Sequence, residues 1–269
     1  MPPKLWLRCL RTAGASRFLT IDLHNQALTS FSPAGAVLDE LCAEKYLAEF
    51  IRRSVPNFNP SRMPMCATNG GGIEFTRKMA RELQSSFVMA DRYRSQGGGA
   101  GEIKIIADSR IDSIEGIIVV DDMFDTCGSL VEVCMALRAF APGAKLYGIA
   151  SHGYFSGDAH LNIKKLVDTC SLEWIAATNT ITQTCALRRL SEIGVGTSLK
   201  IIDVSKLIAS AIVRIHLGTS LNLPAFRSMG PTEPDPLLQQ APDQEFQLGA
   251  SPPVGPSDDD LQQSMPQRL

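Results

Sequence analysis

The chain has 269 residues, 44% hydrophobic and 20% charged, with a formal net charge of −2. That suits one globular α/β domain plus extra material, and the absence of a basic stripe leaves no nucleic-acid partner implied. Seven cysteines lie singly at Cys9, Cys42, Cys66, Cys127, Cys134, Cys170 and Cys185, a pattern that argues against a disulfide framework or a zinc site and for a reducing compartment. No apolar run reaches transmembrane length, so the expectation is a cytoplasmic protein with no membrane partner.

Pro3–Ala13 carries Leu5, Leu7 and Leu10 and stops at Gly14, which predicts a helix. Its basic, slightly amphipathic start could mimic a transit peptide. Arg17–Leu23 predicts a buried strand ending in Asp22-Leu23-His24. A lone histidine after a strand is ordinarily structural or on the surface. Val37–Arg53, with Leu38, Leu41, Leu47 and Ile51 on one side, predicts a helix, and Pro56–Pro60 a loop.

Met63–Ala67 is a short strand candidate followed by Thr68-Asn69-Gly70-Gly71-Gly72. Glycines after a strand let backbone N–H groups approach a diphosphate. A flexible turn has the same composition. Phe75–Leu83 reads as a helix and Ser86–Ala90 as a strand running into Asp91-Arg92-Tyr93-Arg94. The Gly-rich stretch 95–101 comes next. With basic residues at its hinge it suits a lid over charged phosphates, and a solvated hairpin tip reads the same way.

After a strand at Ile103–Ala107 comes the most informative stretch, Gly116–Leu130, GIIVVDDMFDTCGSL. The apolar run Ile117–Val120 ends in Asp121 and Asp122. A turn of small residues, Asp125-Thr126-Cys127-Gly128-Ser129, follows. Leu130, Val131, Val133, Leu137 and Phe140 then recur at helical spacing as far as Pro142-Gly143. A helix N-terminus offers unpaired N–H groups and the positive end of its dipole, so the turn forms a phosphate cradle. Carboxylates at the strand end share the crevice where open α/β sheets bind ligands. They suit sugar hydroxyls or a hydrated Mg²⁺. Cradle and acceptors together describe a ribose 5-phosphate site. An acidic strand end with an ordinary helix cap is the bland alternative.

Strands are further expected at Lys145–Ala150, Leu172–Ala176 and Lys200–Asp203, with helices at Ala159–Cys170 and Val204–Leu217. From about Arg227 the chain is rich in Pro, Gln, Ser and Asp, a composition that does not bury enough area to order itself.

Val119–Ser129 resembles the phosphoribosyl diphosphate (PRPP) motif of type I phosphoribosyltransferases. Thr20-Ile21-Asp22-Leu23-His24, Ser151-His152-Gly153-Tyr154-Phe155-Ser156-Gly157, Thr178-Asn179-Thr180-Ile181 and Ile202-Asp203-Val204-Ser205 narrow the resemblance to the ribose-phosphate pyrophosphokinase, or PRPP synthetase, family. It runs from about residue 3 to about residue 222. The resemblance implies an α/β, type I phosphoribosyltransferase-like fold, a mostly parallel sheet with helices on both faces. It implies a remnant of the first phosphoribosyltransferase-like half over 1–35 and the C-terminal domain over 36–222, and the composition beyond adds a disordered tail over 228–269. On this reading most of the first half, which supplies the adenine pocket, is missing.

The implied reaction joins ribose 5-phosphate and Mg-ATP. Asp125, Thr126, Cys127, Gly128 and Ser129 would hold the 5-phosphate, with Cys127 as a small spacer, and Asp121 and Asp122 would hold the ribose hydroxyls. Asn69, Gly70, Gly71 and Gly72 match the diphosphate loop. There Asn69 stands for an acidic residue and Phe75, which cannot pair with phosphate, for an arginine. Arg92 and Arg94 match the catalytic loop, with Arg92 in place of lysine. His24 matches the histidine that contacts the ATP–Mg²⁺ phosphates. Mg²⁺ is the implied cofactor, with His24 and Asn69 as its candidate ligands. His152 is expected to be structural. The implied assembly is a homo-oligomer, or a hetero-oligomer with a full-length synthetase. The alternative to a catalytic chain is a regulatory subunit bound to an active synthetase.

Overall fold

The computed structural model describes residues 2–93, 102–107, 113–222, 226, 229–233 and 235–239. Seven strands form one sheet: β3 (Met65–Ala67), β4 (Phe87–Tyr93), β5 (Glu102–Ala107), β6 (Gly116–Phe124), β7 (Lys145–Gly153), β8 (Leu172–Thr178) and β9 (Leu199–Ile202). Their order is β5-β4-β3-β6-β7-β8-β9, parallel throughout except for the β4–β5 edge pair.

Both faces of this sheet are covered, as its sequence dictates. Strand residues alternate faces, and Ile117–Val120 is apolar at every position. Ile117 and Val119 join one core with α4 (Gly128–Phe140), α5 (Ala159–Cys170) and α6 (Thr184–Glu192). Ile118 and Val120 join the other with α2 (Glu44–Ser54), α3 (Ile73–Leu83) and α7 (Ser205–His216). The expected mostly parallel sheet with helices on both faces is the observed fold. Among the described residues no helix is long and apolar enough to cross a membrane.

α1 (Pro3–Thr12) precedes a separate two-stranded parallel sheet, β1 (Arg17–Ile21) with β2 (Val37–Leu41). Here the structure corrects an expectation. Val37–Arg53 is not one helix: its first five residues pair in register with β1, Arg17 opposite Val37 and Ile21 opposite Leu41. Leu38 and Leu41, three apart, follow the helical period and fall on opposite faces of a strand, so the pairing with β1 overrides the period. The pairing also crosses the expected boundary at residue 35. α6 carries one buried residue, Leu190, and so has no broad apolar stripe to announce it.

The tail from residue 228 also differs from expectation in its described part. Met229 and Asp235 are buried. Asp235 accepts two hydrogen bonds from Arg214 of α7, at 3.0 and 3.1 Å. The Arg214 guanidinium lies 4.7 Å from the centre of the Phe226 ring. Lys206 donates to the backbone oxygen of Pro231 at 3.0 Å, and Thr232 to Glu49 at 3.0 Å. Composition predicts too little apolar burial for order, and the described part does bury Met229, along with the Arg214–Asp235 pair. Residues 240–269 lie outside the described residues.

Removing one partner of a buried pair leaves an uncompensated charge. Asp235→Ala is therefore expected to lower unfolding stability by about 3–5 kcal/mol in urea denaturation. The apolar pair Arg214→Met with Asp235→Leu is expected to recover most of that loss.

Candidate functional site

The sheet's topology places the site. From β3 the chain moves to β4 on one side, and β6 then lies on the other side of β3. Open sheets bind ligands at the carboxyl ends of the strands where the order reverses in this way. Thr68 follows β3, Asp121 and Asp122 lie near the end of β6, and the Thr68 hydroxyl donates to the Asp121 carboxylate across the gap.

A cleft of about 170 Å³ opens there, walled by residues 121–130 on one side and by His24, Thr68 and Asn69 on the other. The strand runs further than its apolar run, through Asp121 and Asp122 to Phe124. Cys127 then takes a left-handed backbone conformation, φ 61°, and α4 starts at Gly128. The first N–H groups of α4 have no partners within the helix. Two contacts brace the turn from the α5 side. Ser156 donates to Asp125, and Asn162 donates to the Thr126 carbonyl at 2.8 Å. Asn162 belongs to no motif, so sequence reading gives no signal for it. The Cys127 thiol is pushed up to about 12, by burial first and by Asp125 second. It is a buried spacer and not a nucleophile.

The adjacent carboxylates are electrostatically opposite. Burial pushes Asp121 up to about 7, against the hydrogen bond from Thr68, while its neighbour Asp122 raises it further. Its Oδ1 also accepts the Asp122 N–H at 3.0 Å. Burial works against the Asp122 carboxylate too, but hydrogen bonds with Asp121 and His24 outweigh it and hold Asp122 below its ordinary value. His24 Nδ1 stands 2.5 Å from Asp122 Oδ2. The structure therefore brings His24 to the cleft with both carboxylates, although His24 comes from the small sheet.

The glycine loop is turned inward. Asn69 Oδ1 accepts from the N–H groups of Gly71 and Gly72 at 2.8 and 3.1 Å, and its Nδ2 donates to Thr68 at 3.0 Å. A Cβ on Gly72 would stand 3.3 Å from Asp121 Oδ1, so this close approach suits glycine. The oxygen expected to face a cation is thus engaged by its own loop. Among the described residues no group of three or more His, Cys, Asp or Glu side chains could hold a metal ion.

Arg92 does not line the cleft. Its guanidinium pairs with Glu132 on α4, one helical turn, about 6 Å, beyond the cradle. Arg94 lies outside the described residues.

Residues 96–227 match the family model described as a phosphoribosyl synthetase-associated domain. The chain is 29% identical over 220 residues to ribose-phosphate pyrophosphokinase A of Dictyostelium discoideum, covering 81% of this chain and 63% of that protein. It therefore spans somewhat under two thirds of the length of this relative. Phosphoribosylpyrophosphate synthetase from Mycobacterium smegmatis superposes with a TM-score of 0.64 at 22% identity, over 80% of this chain and 64% of that one. The fold is of the type I phosphoribosyltransferase class, and the resemblance to the PRPP synthetase family holds in sequence and in fold.

Asp121 also sets a pH dependence. Its folded pKa lies above the ordinary 3.8, so folding favours its protonated form. That contribution is fully present below about pH 4 and is lost as pH rises through about 7. Thermal unfolding of Asp121→Asn beside the unmodified chain is expected to show a flatter stability profile between these limits. The unmodified chain gains relative to the variant as pH falls.

Proposed function

We propose that this chain, whose resemblance to the ribose-phosphate pyrophosphokinase family is established above, binds ribose 5-phosphate and serves the synthesis of PRPP. The observation that carries the reading is the meeting, in one cleft, of the 125–129 turn at the α4 N-terminus with the Asp122 carboxylate. The turn's amides and hydroxyls suit a phosphate dianion. Asp122, held ionised, accepts from the ribose hydroxyls. Asp121, the more easily protonated of the two, keeps the β3 and β6 edges together through Thr68.

In the family's reaction the C1 hydroxyl of ribose 5-phosphate attacks the β-phosphorus of ATP. The bond between the α–β bridging oxygen and that phosphorus breaks, and AMP leaves. Such transfer rests on positioning and charge neutralisation. The Asp122 carboxylate suits Mg²⁺ carried in on the nucleotide phosphates, because Mg²⁺ commonly takes only one or two carboxylates besides phosphate oxygens, whereas the His24 nitrogen, paired with Asp122, suits it poorly. Bound there, Mg²⁺ would neutralise phosphate charge. Arg92 would have to leave Glu132 to take part. An exposed pair of this kind holds by only about 0–1 kcal/mol, so a phosphate could draw Arg92 away.

A second reading, a regulatory subunit working beside an active synthetase, is favoured by the engaged Asn69 oxygen and by Phe75 at the position where the family has arginine. Under either reading ribose 5-phosphate binds.

Calorimetric titration with ribose 5-phosphate is expected to give saturable binding, and ribose alone none. Asp122→Asn is expected to weaken binding by about 1.5–3 kcal/mol, the range for a hydrogen bond to a charged group. AMP release from ribose 5-phosphate and Mg-ATP then separates the two readings. Turnover by the chain alone supports the enzyme, and activity only on mixing with a full-length synthetase supports the subunit.

A further inference from the structure

His24 reaches the cleft from outside the main sheet, on a turn with an unusual backbone. Asp22, two residues before it, has φ 41°, in the left-handed region that L residues avoid. Such a conformation persists where its surroundings over-determine it. Here the surroundings are the ends of β7 and β8. Ser151 donates to Asp22 Oδ2 at 2.5 Å, and the Ala43 N–H donates to both carboxylate oxygens at 3.3 and 3.2 Å. His152 Nε2 faces the carbonyl oxygens of Ile21 and Asp22 at 3.0 and 3.2 Å.

Carbonyl oxygens only accept, so Nε2 carries the proton. His152 Nδ1 faces Thr180 Oγ1 at 2.8 Å and accepts a hydrogen bond from that hydroxyl. Thr178 donates to the Ser151 carbonyl at 2.6 Å and steadies the same strand end.

We infer that His152, fixed in one tautomer by Thr180, is a positioning residue: it clamps the 21–22 carbonyls and so sets where the His24 ring stands over Asp122. The Ser151-His152 and Thr178–Thr180 motifs, which contribute nothing directly to the phosphate cradle, act together in this clamp. A role through His24 separates it from ordinary packing, because the effect then disappears when His24 is absent.

The test uses the whole chain and two near-isosteric variants. A glutamine amide can place an N–H near the Nε2 position, and an asparagine amide reaches only the Nδ1 position. In ligand-free hydrogen exchange, His152→Asn is expected to speed the amides of residues 21–24 about tenfold while those of Ile117–Val120 stay protected. His152→Gln is expected to recover most of that protection. Unchanged exchange at 21–24, or an equal rise across β6, overturns the inference. So does identical behaviour of the two variants.

The ligand arm rests on the pentose phosphate reading. His152→Asn and His24→Ala each disturb the His24–Asp122 contact that sets the Asp122 carboxylate in the cleft and are each expected to weaken ribose 5-phosphate binding about tenfold, and the double variant no more than His24→Ala alone. Additive losses overturn the inference. If the unmodified chain fails to bind ribose 5-phosphate, the function proposed above falls, and the exchange result still decides the clamp.

Discussion

A parallel sheet covered on both faces leaves its polar chemistry one place to go. The strands between the two helical layers carry apolar side chains on both sides, so hydroxyls and carboxylates collect where the strands end. In this chain that edge is held together by Asp121. Its carboxylate, almost out of reach of water, accepts from Thr68 beyond β3 and from the N–H of its own successor. β3 and β6 neighbour each other in space but not in sequence, and no short loop ties their ends. The buried acid supplies the tie at the point where a ligand cleft must open.

The same burial explains why two neighbouring aspartates differ. Like charges a residue apart, in a partly desolvated crevice, resist ionising together. The buried member is raised and the one beside His24 is lowered. The outcome is a fixed division of labour: Asp121 holds the framework and Asp122 faces the cleft as an anion. The motif shows two acids, and only their unequal burial shows two roles.

What was legible in the sequence follows from how local each cause is. The junction at Gly116–Leu130 could be read because a four-residue apolar run, a turn of small residues and a helical stripe each write their period into adjacent positions. Val37–Leu41 could not, because its leucines, three apart, follow the helical period, and the partner that overrides it, β1, lies some twenty residues away. The described part of the tail meets the domain through Arg214 and Asp235, and composition carries no trace of that pairing. At the site, residue types were visible but their partners were not. Asn69 spends its oxygen on its own loop, Arg92 faces Glu132, and Asn162 braces the cradle from a helix that no motif covers.

These partners bear on how far the cleft is preorganised. The cradle side is continuous: it belongs to β6 and α4, and its turn is propped by Ser156, just before α5, and by Asn162 on α5. The opposite wall is assembled from pieces with independent supports. Thr68 and Asn69 belong to the β3 loop, whereas His24 lies on the turn after the first strand of a two-stranded sheet, and parallel ribbons of that size are seldom stable alone. That ribbon stays in place because Leu41 and Ala43 are buried in the core and because Asp22 is gripped by Ser151 and Ala43. The 125–129 turn therefore depends on one compact strand–turn–helix unit. The position of the histidine depends on contacts that run through three strands. Sequence change can then retune the histidine wall, as Asn69 and Phe75 alter the loop beside it, while the phosphate cradle stays whole.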